Sequence, residues 1–175
     1  MTKPDTLPTA LPDLTPDCQS CDALCCVVLA FDACDAFGFD KPACTPCQNL
    51  TAGNQCRIHA DLADQGFAGC ARFNCHGAGQ KVTQDLFKGR SWRRDPSLLP
   101  AIDHAFRLQR RLHEALVLLI QSGELPLTPD QASTRRSLIE TLSAPRSLHD
   151  PEPNAALSQT AWFFAGLRTV TPPRR

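Results

Sequence analysis

The sequence has no net charge, with 18 Lys and Arg against 18 Asp and Glu. It therefore offers no overall electrostatic case for nucleic acid or a membrane surface as partner. It has no internal repeat of useful period. Its opening stretch, MTKPDTLPTALPDLTPD, holds four prolines and no apolar run, so it reads as neither a secretory signal nor a membrane span, and a cytoplasmic location is expected. There are no paired carboxylates in an apolar setting and no nucleophile beside a base, so nothing points to a catalytic site. Gly77-Ala-Gly79 lacks the Lys and Ser/Thr of a phosphate loop. After Cys75 there is no cysteine at all.

What is present is concentrated. Ten cysteines, at 18, 21, 25, 26, 34, 44, 47, 56, 70 and 75, lie within 58 residues. In a cytoplasm that keeps thiols reduced, such density reads as metal-binding or redox before it reads as a disulfide framework. Charge is uneven as well. Residues 1–80 carry four Lys or Arg against nine Asp, and residues 81–120 carry eight against four acidic groups. The two regions are expected to attract each other or to serve different partners.

The sequence predicts four segments: a disordered, Pro-rich leader over 1–16, a cysteine-cluster module over 17–90, a helical region over 91–170, and a disordered tail over 171–175. The expected fold class is mainly α, with a small, irregular, metal-bound cysteine module packed on a helical bundle. A short helix is predicted from Arg57 to Gln65, closed by Gly66. Asp95 reads as an N-cap with Pro96 at the first helical position, followed by an apolar stripe from Leu98 to Ile120. Thr128 and Gln131 form a capping-box pair for a second helix to about Ser143. A third is expected from about Asn154 to Arg168.

The opening motif is Cys18-x2-Cys21-x3-Cys25-Cys26. If helical, it puts positions 18, 21 and 25 on one face; if a turn, Cys18 and Cys21 still chelate as a zinc knuckle does. Further donors follow at Cys47, Cys56, Cys70 and Cys75, with Gly53, Gly66 and Gly69 allowing tight backbone between them. Thiolates select zinc, iron–sulfur clusters or Cu(I) over magnesium and calcium, and four of them hold either a zinc ion or a cluster. Zinc or iron is the expected cofactor, with Cu(I) less favoured. A rival partition joins Cys18 and Cys21 to Cys44 and Cys47 at near zinc-ribbon spacing.

The string Cys18-Gln-Ser-Cys21-Asp-Ala-Leu-Cys25-Cys26, with Pro46-Cys47-Gln-Asn-Leu50, Cys56-Arg-Ile-His59 and Gly69-Cys70-Ala-Arg-Phe-Asn-Cys75, resembles the bacterial CxxCxxCC or YkgJ-type family of zinc- or iron-chelating domains. The stretch from Phe37 to Gln84 is also similar to the cysteine-rich leader of some bacterial pentapeptide-repeat proteins, without the repeats. The resemblance implies chelation through Cys18, Cys21, Cys25, Cys26, Cys47, Cys56, Cys70 and Cys75, and implies no particular reaction. Cys34 and Cys44 depart from that pattern.

Three roles are therefore open: non-catalytic metal binding; an iron–sulfur protein supporting electron transfer or modification of another protein; and a zinc-stiffened module that recruits a protein partner through its helices. His59 and His76 follow cysteines closely, and each reads as a surface or capping residue before a ligand. His104, His113 and His149 read as surface residues. The basic segment Arg90-Ser-Trp92-Arg93-Arg94, with Lys81 and Lys88, has the composition of a nucleic-acid strand binder. The favoured reading is that these charges face water or pair with the acidic cysteine module.

Overall fold

A computed structural model describes residues 11–167. Residues 1–10 of the expected leader, the expected tail and Arg168 lie outside the described residues. The described chain is mainly helical, with six α-helices and no strand. Its described residues divide into two compact units, one of residues 14–110 and one of residues 111–167 with 11–13.

The first unit is built on short pieces. Helix α1 spans Leu24–Val28, α2 Ala68–Arg72 and α3 Ala78–Gln80, the last continuing as a π-helical stretch over Lys81–Leu86. Isolated bridges pair Phe31 with Lys41, Cys34 with Phe37 and Leu50 with Cys56. The core gathers Leu24, Val27, Val28, Ala78, Val82, Phe87, Trp92, Ile102, Ala105 and Phe106. A second apolar knot stacks Phe31 on Phe37 at 4.5 Å, with Phe39 and Phe67 against them.

Between Arg57 and Gln65 the chain forms a 3-10 turn over His59–Asp61 rather than the predicted helix. No residue of that turn is buried, so no tertiary contact supports a longer one. Gly66 does reverse the chain, at φ +82°. Gly69 serves a different need, because a Cβ there would collide with the Phe37 ring. A Cβ on Gly53 would meet little.

Asp95 caps the next element, its carboxylate accepting from Ser97 N at 3.1 Å, with Pro96 at the first position. A 3-10 turn over Pro96–Leu98 leads into helix α4, Leu99–Gln121. Its apolar stripe is buried at Ile102, Phe106, Leu112, Leu116 and Leu119, while Asp103 and Arg107 pair on the opposite face at 2.6 Å.

In the second unit, helix α5 spans Pro129–Ser143 behind the full Thr128–Gln131 capping box. Helix α6 spans Asn154–Leu167 and packs on α5. Arg135, 3 % exposed, donates to the carbonyls of Leu119 and Ile120 at 2.6 and 3.0 Å and so caps the end of α4. His113 is fully buried there, contrary to the surface position expected from sequence. It follows Leu112 on the inner face, and charge alone does not reveal a helix's rotation. His104 and His149 are exposed.

Candidate metal centre

The first cysteine block is a turn followed by a helix. Asp17 accepts from Gln19 N at 2.9 Å and Ser20 N at 3.3 Å, which winds the chain from Cys18 to Cys21. Those hydrogen bonds, led by the Ser20 side chain, hold the Asp17 carboxyl below its ordinary value. Ala23 takes a left-handed φ of 56° and starts α1, which carries Cys25 and Cys26. This reversal turns the N–H groups of Leu24 and Ala23 toward the Cys21 sulfur. The turn alternative for Cys18 and Cys21 is thus the one adopted.

Asp22 ties the block down. Its carboxylate accepts from Asn54 Nδ2 at 2.6 Å and Ser91 Oγ at 2.7 Å, and its carbonyl accepts from Trp92 Nε1 at 2.9 Å. Arg93 lies over the Trp92 ring at 4.4 Å and donates to Asn54 and to the Thr51 carbonyl. The basic segment therefore clamps the loops of the cysteine module, and Trp92 is 8 % exposed. A buried indole with its N–H satisfied has no face left for a base to stack on.

The other blocks converge on α1. Cys47 N donates to the Cys26 carbonyl at 2.9 Å, and Cys44 N to that of Val28 at 3.2 Å. Asn49 N approaches the Cys47 sulfur at 3.4 Å, a second turn that aims a backbone donor at sulfur. Leu50 bridges to Cys56. Cys70 sits in α2. Ala78 N donates to the Cys75 carbonyl at 3.0 Å, after Gly77 turns at φ 77°. A Cβ on Gly79 would stand 2.5 Å from the Cys21 sulfur and 4.0 Å from that of Cys75, so this glycine keeps open the ground between them.

Within α1 the Cys25 and Cys26 sulfurs are 3.9 Å apart. Two thiolates on one tetrahedral ion, each at about 2.3 Å from it, stand about 3.8 Å from one another. Among the described residues no three His, Cys, Asp or Glu side chains are drawn up together at metal-site spacing as they stand. A thiol swings on a single side-chain torsion, so closure on an ion needs rotation about χ1. The donor chemistry fits zinc or iron, with N–H groups aimed at Cys21 and Cys47 as thiolates require.

The electrostatics are those of crowded, half-buried thiols. Burial pushes Cys21 and Cys70 up to about 11 and raises Cys18 and Cys47. The thiol–thiol contact of Cys25 and Cys26 raises Cys25 well above its ordinary value and, with Lys41 near, lowers Cys26 to about 7. Lys41 is 4 % exposed. Sequence reading passed over it, although a lone Lys before Pro42 beside three cysteines was the available signal.

The departing residues fall elsewhere. Cys34 is exposed in the small loop that it closes with Phe37. Cys44 takes a left-handed φ of 55° near Lys41. His59 is exposed and His76 half-buried. No helix among the described residues is long and apolar enough to cross a membrane.

No family model matches the chain, and no solved structure matches it. The chain is 39 % identical over 130 residues to a Bacillus subtilis (strain 168) protein named "Uncharacterized protein YybG". The match covers 74 % of this chain, which spans 47 % of that curated relative's length.

Proposed function

We propose that the protein binds zinc or iron through Cys18, Cys21, Cys25, Cys26, Cys47, Cys56, Cys70 and Cys75, as the CxxCxxCC resemblance implies, without catalysing a reaction itself. The observation that carries this is the 3.9 Å sulfur–sulfur contact of Cys25 and Cys26 at the centre of loops whose backbone bonds run to α1. A folded chain gains nothing by crowding titratable thiols whose burial opposes their ionisation. A bound cation removes the conflict, because it stabilises the thiolates and displaces their protons. The thiols must be reduced for this, which suits a cytoplasmic protein.

Elemental analysis of protein purified without oxygen tests the reading. At least one equivalent of zinc or iron per chain is expected, a brown colour marking an iron–sulfur cluster and a colourless sample zinc. Metal-free protein whose thiols refuse added zinc would refute it. A zinc-stiffened interaction module is the second reading, favoured by Trp162, 72 % exposed on α6 beside Leu138, Gln159 and Phe163.

A further inference from the structure

The basic segment after the cysteine blocks divides its work. Arg93 is spent on the clamp, lying over the Trp92 ring and donating to Asn54 and the Thr51 carbonyl. Lys88, Arg90 and Arg94 instead line one open cavity of about 330 Å³, with Asp95 as its acidic residue. Among the described residues none of these three side chains makes a hydrogen bond or an ion pair; Arg90 lies over the Phe87 ring at 5.8 Å. The acidic residues that flank them in the chain are otherwise engaged. Asp85 pairs with Lys81 at 2.6 Å, and the Asp95 carboxylate accepts from both Ser97 N and Ser97 Oγ. Three cations against one carboxylate leave the cavity with two uncompensated positive charges.

The walls of the cavity are fixed from beneath. Phe87 and Trp92 are buried, and Ser91 Oγ donates to the Asp22 carboxylate at 2.7 Å. Gly89 N donates to the Thr83 carbonyl at 2.9 Å and Arg90 N to that of Phe87 at 3.0 Å, while the Ser91 carbonyl accepts from Arg94 N at 3.2 Å and Asp95 N at 3.0 Å. A loose basic run spreads its charges apart in water. Here two hydrogen-bonded turns anchored in the core hold three cations around one space, and like charges so held are relieved by an anion.

We infer that this cavity is an anion site for the phosphate monoester of a small molecule. A monoester dianion matches the two uncompensated charges, and the Arg90 and Arg94 guanidiniums offer planar forks to phosphate oxygens. The cavity is at the small end of ligand pockets, with room for a phosphate and a short carrier. A nucleic-acid strand would want an aromatic face for its bases as well, and Trp92 is buried with its N–H bonded. Binding is non-covalent, and no bond forms or breaks. None of the residues is a proposed thiol ligand, so the site adds to the metal-binding reading without depending on it.

Equilibrium dialysis of the full chain, purified without oxygen, against radiolabelled glycerol 3-phosphate at low salt tests the site. One saturable site is expected, weakened by added KCl, displaced by inorganic phosphate and indifferent to glycerol. Lys88→Gln and Arg94→Gln should each weaken binding about tenfold or more. Both side chains are exposed, so circular dichroism should stay as in the native chain. Arg111→Gln removes an exposed cation of α4 that does not line the cavity, and should bind as the native chain does. Absence of saturable binding, native affinity in both Lys88→Gln and Arg94→Gln, or an equal loss in Arg111→Gln overturns the site. Binding of a single-stranded oligonucleotide with none of the monoester overturns it as well. Each of these failures leaves the metal content, and so the metal-binding reading, where elemental analysis puts it.

Discussion

The Lys41 ammonium donates to the Val27 carbonyl at 3.0 Å, placing a buried cation beside the last turn of the helix that carries Cys25 and Cys26. It donates also to the carbonyls of Leu29 and Pro42, so three backbone acceptors and nearby thiolates compensate its desolvation. Burial lowers its pKa, while Cys47, Cys26, Cys44 and Cys25 raise it.

Replacing Lys41 with Met should therefore act on the thiols as well as on stability. Three acceptors lose their donor, at about 1 kcal/mol each. Cys26, now near 7, loses one of its two stabilising influences. Alkylation of metal-free protein at neutral pH, mapped by mass spectrometry, should be fastest at Cys26 in the native chain and clearly slower in Lys41→Met. Unchanged Cys26 reactivity would show that the Cys25 hydrogen bond alone sets its acidity.

Gly79→Ala isolates crowding from ligand chemistry. Alanine favours helix by about 1 kcal/mol over glycine, so helix formation is not at risk. The new methyl would lie 2.5 Å from the Cys21 sulfur and drive it off the N–H groups of Ala23 and Leu24. Metal retention against a chelator should weaken at least tenfold with no ligand removed. Retention equal to that of the native chain would disprove the closeness of Cys21 and Cys75 across Gly79.

Trp92→Phe keeps most of the ring and deletes the N–H that satisfies the Asp22 carbonyl. A buried acceptor left unpaired costs about 1–3 kcal/mol. Hydrogen exchange should quicken in residues 17–26, where Asp22 anchors the loop, more than in α5. Uniform acceleration throughout would mean that the clamp is not local.

In metal-free protein, stability should fall as pH rises from about 9 to about 11. Cys21 and Cys70 ionise near 11 when folded, and Cys18, Cys25 and Cys47 are raised too. Unfolded thiols ionise near 9, so in that window the folded state holds more protons and loses stability with pH. Cys26 works the other way between about 7 and 9, and Lys41, lowered by burial, opposes the fall below its ordinary value. Urea midpoints of reduced, EDTA-treated protein measure the balance. A midpoint that does not drop above pH 9 would contradict thiol burial as the dominant cause.

Arg135→Lys should destabilise the second unit by about 1–3 kcal/mol, because one ammonium cannot reproduce a fork that reaches both Leu119 and Ile120. Thermal melting of the helices checks this, and bound metal per folded chain should be unchanged.

Local chemistry made several elements legible from the sequence. The Asp95–Pro96 start, the Thr128–Gln131 capping box and the stripe of α4 depend on residues within a turn or two of one another, so spacing alone specified them. The clustering of thiols in Cys18–Cys75 was legible for the same reason. Other features depended on the packed chain. The α1 backbone made neighbours of Cys26 and Cys47, Trp92 was drawn inward by a carbonyl 70 residues away, and His113 was turned into an interior. Lys41 became a buried cation only because Val27, Leu29 and Pro42 surround it with carbonyls.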